Sequence, residues 1–356
     1  MTVRDQVWKA QDTSPSEIEA ALRELLVDFY RENEGYMPAR VLNLVCVVDR
    51  HWSGEIANRL RGVGRYHASR TIVCAVDGRR TKLDATATIA TDTDPKPGEF
   101  ALLRETIVVE CGPHHLEHLD TIVDPLVVTD LSTVIWSPHG HWDALDSLRR
   151  LAQVVLLDSV DDPDIDAGLR RACSFSNELY VVDLAWLRST PWRERIAAAF
   201  DPPARRADLQ TISAIEVRHH PDSVVAGLLL LGWLATRLGW QPTRLMKRGD
   251  HLYGKLKGRR QDIQVTLVPT PMGVRGLAGL TIETAGGESL ALDRGDGGLQ
   301  AVRTRRGSRP PTEQAWTILG ASRGESGILG EGIRQALLRD PTYRPALTTA
   351  ESLLHA

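Results

Sequence analysis

The chain has little of several features that mark particular classes of protein. Its 356 residues include four cysteines, 5% aromatic residues and a formal net charge of −3. Such sparse cysteines exclude a disulfide framework. The small net charge argues against a general binder of nucleic acid or membrane surfaces. The longest apolar run, residues 224–236, is too short to span a bilayer, and residues 1–9 are too polar for a signal peptide. We therefore expect a soluble cytoplasmic protein.

The sequence also lacks the common nucleotide-binding and nucleophile motifs. It contains no G-x-x-x-x-G-K-[ST], no G-x-S-x-G and no C-x-x-C. Gly62-Val63-Gly64 is not followed by the third glycine of a dinucleotide fingerprint. We therefore predict no cofactor and favour a binding protein over an enzyme.

Hydrophobic periodicity predicts an N-terminal α/β domain over residues 1–178. Residues 41–48 and 70–76 are nearly continuous apolar runs with a helix predicted between them, which is typical of strands buried on both faces of a parallel sheet. Residues 82–90 alternate in polarity, which indicates a half-exposed strand that pairs antiparallel with the next one. The predicted sheet is therefore mixed and largely parallel.

Residues 179–356 are predicted to form an α+β domain, and a helical connector covers about residues 161–203. A helix predicted at residues 222–238 is apolar nearly all round, so we expect it to be buried. Strands with glycine-rich turns follow it, which indicates an antiparallel meander. Beyond a helix that ends near residue 338, prolines interrupt the chain and we expect partial disorder.

One loop is the strongest candidate for a binding surface. An apolar run at residues 126–136 predicts a strand, and a short helix and a second strand at residues 154–157 follow it. This unit predicts a right-handed parallel crossover, with the loop at the carboxyl end of the first strand, where binding surfaces gather. The histidines of the loop could also bind an anion or transfer protons near neutral pH. The predicted contact residues are Trp136, Pro138, His139, His141 and Trp142.

A second candidate is a metal site. His114-His115-Leu116-Glu117-His118 fits the H-x-x-E-H pattern of one metalloprotease class. On an α-helix, His114 and His118 would share a face and could bind Zn²⁺, with Glu117 as general base. The alternative interpretation is the polar beginning of a helix.

A third candidate is a basic cluster in the C-terminal half. Only Tyr253 lies among its residues, so the cluster lacks the aromatic side chains of a single-strand nucleic-acid binder. It is either a solvated strand face or a site for an acidic protein surface or a sugar phosphate. Its residues are Lys247, Arg248, Lys255, Lys257, Arg259 and Arg260.

An ordered set of stretches resembles the OpcA family, the glucose-6-phosphate dehydrogenase assembly proteins of actinobacteria and cyanobacteria. The stretches are PARVLNLVCVVD (38–49), SRTIVCAVDG (69–78), LDATATI (83–89), DPLVVTDLSTVIWSP (124–138), DLAWLRSTPWRERIAAAFDPP (183–203) and SVVAGLLLLGWLATRLGW (223–240). Ser132 and Ser137 depart from the family pattern, which usually has proline and a second tryptophan there. Trp136 and Pro138 retain part of it.

This resemblance implies two domains and a non-catalytic protein that promotes assembly or activation of glucose-6-phosphate dehydrogenase, at the entry of the oxidative pentose phosphate pathway. The dehydrogenase is then the expected partner, and neither nucleic acid nor membrane is expected to bind. The loop after residue 136 becomes the expected contact surface.

Overall fold

A computed structural model describes residues 6–32, 36–37, 40–64, 69–91, 101–305, 312–319, 324–336 and 338–355. The elements up to residue 183 are β1 (Gln6–Ala10), α1 (Pro15–Glu32), β2 (Tyr36–Met37), β3 (Leu42–Asp49), α2 (Ser53–Gly64), β4 (Ser69–Val76), β5 (Asp84–Thr91), β6 (Ala101–Cys111), α3 (Leu119–Val123), β7 (Thr133–Trp136), α4 (Trp142–Leu148), β8 (Val154–Leu157), α5 (Ile165–Glu178) and β9 (Tyr180–Asp183).

The later elements are α6 (Leu184–Arg188), α7 (Thr190–Phe200), α8 (Pro203–Arg206), β10 (Ile212–His219), α9 (Val224–Leu238), β11 (Met246–Arg248), β12 (His251–Lys257), β13 (Asp262–Pro269), β14 (Leu277–Thr284), β15 (Glu288–Gly295), β16 (Gly298–Arg305), β17 (Thr312–Leu319), α10 (Gly324–Gln335) and α11 (Tyr343–His355).

The chain divides into two compact units. Unit 1 comprises Met1–Leu157, Leu179–Val182 and Leu329–Leu338, and unit 2 comprises Asp158–Glu178, Asp183–Ile328 and Arg339–Ala356. Each unit contains segments from before and after residue 178. The domain boundary predicted at residue 178 stays a prediction.

The sheet of unit 1 follows the order β1-β5-β6-β4-β3-β7-β8-β9, with β2 paired to β6. Strands β6, β4, β3, β7 and β8 pair in parallel, whereas β5 pairs antiparallel with β6 and with β1. The mixed, largely parallel sheet is therefore confirmed. Its central strands are buried along nearly their whole length, because helices and loops cover both faces.

A buried asparagine explains why the strand predicted at residues 126–136 is short. Only Thr133–Trp136 is a strand. The Asn43 side chain donates to the carbonyl oxygens of Val128 and Leu131 and accepts from the Val128 N–H. These bonds satisfy part of the backbone of residues 127–132, which are partly or fully exposed, so this segment needs no strand partner. The prediction of a strand from residue 126 was wrong.

The sheet of unit 2 follows the order β11-β12-β13-β10-β14-β15-β16-β17. All neighbours in this order pair antiparallel except β10 and β13, which pair in parallel. The predicted antiparallel pairing is thus confirmed for β12 with β13 and for β14 with β15, although β10 lies between the two pairs, and β16 and β17 extend the sheet beyond the predicted strands. The parallel pair arises because α9 and the β11–β12 hairpin lie between β10 and β13 in the chain.

The apolar helix α9 is buried on most sides, as predicted. It ends at Gly239, which adopts a left-handed conformation with φ of 68°. Helix α9 packs against α11 so closely that a Cβ at Gly232 would lie 2.2 Å from the Ala346 carbonyl oxygen. Among the described residues, one stretch, Pro221–Leu238, is long and apolar enough for a membrane span, but 61% of it is buried inside the protein. It is therefore weak evidence for a span.

The tail expected to be partly disordered instead contains a helix. In α11, Tyr343, Leu347 and Leu353 are buried. Pro345 lies in the first turn of this helix, where a missing N–H removes no hydrogen bond. Packing on α9 therefore outweighs the proline signal in the sequence, and the prediction of disorder was wrong.

Candidate functional site

The carboxyl ends of four parallel strands meet at one edge of the sheet of unit 1. Strands β3, β4 and β6 end side by side at Asp49, Val76 and Cys111, and β7 ends at Trp136, which is level with Cys46 of β3. The predicted contact loop, residues 137–142, follows β7 at this edge. The predicted location of the loop relative to the strand is therefore observed.

Two histidines tie this loop to the end of β3. The Asp49 N–H donates to Nδ1 of His139 at 3.0 Å. Nε2 of His141 donates to Oδ1 of Asp49 at 2.9 Å, and the His141 N–H donates to the Ser137 hydroxyl. Gly140 lies between the histidines with φ of 74°, a conformation that favours glycine. The loop is therefore held by its own polar side chains.

The hydrogen bond to His139 determines its protonation state. Nδ1 must be unprotonated to accept from the Asp49 N–H, so this ring is neutral in the observed arrangement. Burial lowers the pKa of His139 below its usual value, and the negative charge of Asp49 only partly offsets this effect. His139 therefore serves as a fixed acceptor at neutral pH.

An exposed tryptophan, which the sequence reasoning did not select, lies beside the loop. Trp52 is 44% exposed, and its ring centroid lies 6.2 Å from that of His139 and 5.0 Å from that of His51. Trp52 follows β3 by only three residues. The sequence signal that could have identified Trp52 is its position just after a buried strand that runs parallel to β7. Trp52 joins the contact loop in one aromatic and histidine cluster.

A cleft adjoins this cluster at the ends of β3, β4 and β6. It is open, with a volume of about 770 Å³, and its lining includes Arg50, Asp77 and Glu110. Arg50 pairs with Asp77 at 3.4 Å and with Glu110 at 3.1 Å, and Arg80 contacts Glu110 at 2.6 Å. These carboxylates are therefore engaged in ion pairs, which does not suit a general base.

The predicted contact residues differ in accessibility. Trp136, the last residue of β7, is only 4% exposed, so it supports the loop from the protein interior. Pro138, His139, His141 and Trp142 are all partly exposed. The exposed tryptophan beside the loop is therefore Trp52 and not Trp136.

The H-x-x-E-H residues do not form the arrangement that Zn²⁺ binding needs. His114, Glu117 and His118 lie in a 3₁₀ helix, Pro113–His118, rather than in an α-helix. With three residues per turn, positions 114 and 118 no longer share a face. In the described parts of the chain, no group of three or more His, Cys, Asp or Glu side chains could hold a metal ion. The alternative interpretation, a polar helix beginning, agrees with this geometry.

The basic residues lie together in unit 2. Lys247 and Arg248 are on β11, Lys255 and Lys257 are on β12, and the turn after β12 carries Arg259 and Arg260. All six side chains are exposed. The structure thus brings them to one hairpin and its adjoining turn, as the spacing predicted.

The structure is an α/β protein of two compact units, with an aromatic and histidine cluster at the sheet edge of unit 1. Two family models match the chain. The first describes the N-terminal domain of a glucose-6-phosphate dehydrogenase subunit and matches residues 61–174, and the second describes the C-terminal domain of that subunit and matches residues 179–347. The chain belongs to the OpcA family that these two models describe.

Curated relatives carry the same family name. The OxPP cycle protein OpcA of Synechococcus elongatus is 28% identical over 261 residues, which are 70% of this chain and 54% of that protein. The protein of this name from Synechocystis is 31% identical over 132 residues, 36% of this chain and 28% of that protein. The chain thus matches about half the length of the first relative and less of the second.

Similarity to solved structures is weaker. The transcriptional regulator Gal80p of Kluyveromyces lactis is 10% identical with a TM-score of 0.47, over 89% of this chain and 92% of that chain. The 3-ketoreductase KijD10 of Actinomadura kijaniata is 12% identical with a TM-score of 0.48, over 89% and 96%. These values are too low to support an argument about function.

Proposed function

We propose that the chain is a non-catalytic assembly partner and activator of glucose-6-phosphate dehydrogenase in the oxidative pentose phosphate pathway. The observation that carries this proposal is the match of both family models in chain order. The names of the curated relatives support the same pathway. We also propose that it acts in the cytoplasm, as its composition predicts.

The mechanism follows from linkage. A partner that binds the active oligomer of the dehydrogenase more tightly than its other states shifts the population toward that oligomer. No chemical step by the partner is required. The paired carboxylates of the cleft and the 3₁₀ geometry of the H-x-x-E-H residues agree with a binding role.

We assign the contact to the cluster at the sheet edge of unit 1. Trp52 provides a large exposed ring, and the loop adds Pro138, His139 and Trp142. His141 holds the loop on Asp49. Aromatic side chains on loops of a rigid scaffold are frequent hot spots of protein interfaces. The cluster therefore has the composition and the rigidity of a contact site.

The test combines co-purification and kinetics with the dehydrogenase of the same organism. Trp52→Ala should weaken binding about tenfold or more, as expected when an interface hot spot is removed. Trp316→Ala is the matched control, because Trp316 is 39% exposed on β17 in unit 2. Equal binding by the folded Trp52 and Trp316 variants would contradict the site, and absence of any effect of the native chain on the dehydrogenase would contradict the function.

The interpretation of the basic residues as a sugar-phosphate site stays a prediction. Thermal stabilisation of the chain by glucose 6-phosphate would support it, since a ligand that binds the folded state raises its stability.

A further inference from the structure

The basic side chains of the β11–β12 hairpin and its adjoining turn have no ion-pair partner among the described residues. Exposed arginines elsewhere, such as Arg23, Arg59 and Arg170, pair with carboxylates four residues away. We define the basic hairpin surface as Arg244, Lys247, Arg248, Lys255, Lys257, Arg259 and Arg260. Its charges are therefore available to a partner.

Strand alternation places part of this surface on one face of the sheet. The register pairs Met246 with Tyr253 and Arg248 with His251, so these side chains and those of Lys255 and Lys257 project from the same face. All of them are exposed, with Met246 at 56% and Tyr253 at 42%. A face that combines available cations with an exposed aromatic and a flexible apolar side chain has the composition of an interface.

Protection of a sheet edge accounts for only part of this cluster. Basic residues on an edge strand hinder pairing with another chain, and β11 is the edge strand of its sheet. At Lys257, however, β12 pairs with β13 on one side and is bridged to Gln241 on the other, and Arg259 and Arg260 lie in a turn. Edge protection does not explain these three cations.

The shape and the charge of the surroundings indicate the kind of partner. Sites for small molecules are concave, whereas these side chains project from an exposed strand face and a turn. The chain has 43 basic and 46 acidic residues, so its net charge is small and the seven cations of the basic hairpin surface are a local concentration of positive charge. Such a concentration orients a protein against an acidic patch on a partner, whereas the small net charge does not favour a general binder of an extended polyanion.

We propose that the basic hairpin surface docks on an acidic face of the dehydrogenase and steers its association with this chain. This inference rests on the proposed function and adds a second contact to the sheet-edge cluster. The cations raise the association rate, and Met246 and Tyr253 provide the apolar contacts.

The experiment measures association of the chain with the dehydrogenase at about 50 and about 300 mM NaCl, where screening differs strongly. Lys255→Glu/Lys257→Glu should slow association about tenfold at the lower salt, and much less at the higher salt. Arg259→Glu/Arg260→Glu in the turn tests the same surface without altering a strand. Arg23→Glu/Arg31→Glu on α1 is the control, because it changes the net charge equally at two exposed positions.

The outcomes separate this inference from the proposed function. Slower association of both hairpin variants, with native rates for the control, supports it. Native rates in the hairpin variants, or equal slowing in the control, overturn it and leave the proposed function intact. No binding of the native chain overturns both. Light scattering that shows a native dimer and monomeric hairpin variants assigns the surface to a second copy of this chain and also overturns it.

Discussion

The two regions assigned to binding differ in whether their polar side chains have partners within the protein. In the contact loop of unit 1, both histidines bond to Asp49, and Ser137 accepts from the loop backbone. On the basic hairpin surface of unit 2, the charged side chains have no ion-pair partner among the described residues. Substitutions in the loop should therefore change both stability and binding, whereas substitutions of the hairpin cations should change binding alone.

The largest effect is expected where the backbone itself is constrained. Gly140 and Gly249 have φ of 74° and 60°, and both reside in turns of the two regions. Alanine at either position costs roughly 1–2 kcal/mol of stability, because the left-handed conformation is strained for residues with a Cβ. Gly140→Ala should cost more than Gly249→Ala, since displacement of the loop also breaks the flanking histidine bonds. Urea unfolding measures the free energy of unfolding of both variants. Equal losses of stability would contradict the expected difference between the loop and the hairpin.

A smaller effect is expected from Asp49→Ala. This change removes the acceptor of His141 and should cost about 1 kcal/mol, the usual contribution of one hydrogen bond. Dehydrogenase activation should fall as well, because the loop loses one of its two hydrogen bonds to Asp49, while the Asp49 N–H still donates to His139. Asp130→Ala at an exposed turn position is the control. Native stability of the Asp49 variant would show that the loop is held by other contacts.

The pH dependence of stability should depend partly on His139. Because its pKa in the folded state is lowered, the neutral ring stabilises the fold above the usual histidine pKa of about 6.5, and this contribution is lost as the pH falls below it. His139→Asn keeps an acceptor for the Asp49 N–H but does not titrate. Unfolding between about pH 7 and pH 5 should therefore be less pH-dependent in this variant. A native pH profile of stability in the His139 variant would contradict this assignment.

The smallest effect on stability is expected on the hairpin. Lys255→Glu/Lys257→Glu should change the free energy of unfolding by no more than about 0.5 kcal/mol, as surface substitutions without partners usually do. Thermal unfolding at low salt checks this. A large loss would show that these lysines stabilise the fold, and the comparison between the two regions would fail.

Local patterns predicted much of the secondary structure, and two of the segments that they missed have clear causes. The buried strands β3 and β4, the alternating β5 and the apolar helix α9 each have a side-chain pattern that fits a single type of environment. The segment before β7 resembled a strand because Val127, Val128 and Leu131 continue its apolar run, but Asn43 bonds to its backbone as a loop. Helix α11 was missed because its prolines suggested a break, although Pro345 lies where a helix tolerates proline.

The sequence by itself determined the family, the alternation of strands and helices, the burial of α9 and the grouping of basic residues on β11 and β12. These features depend on residues that are close together in the chain, and such residues also lie close together in the folded structure. Only the tertiary structure decided that Trp136 is buried, that Trp52 lies beside His139 and that Asp49 holds two histidines 90 and 92 positions further along the chain. Such contacts arise where parallel strands end at a common edge, and no local pattern records which ends will meet.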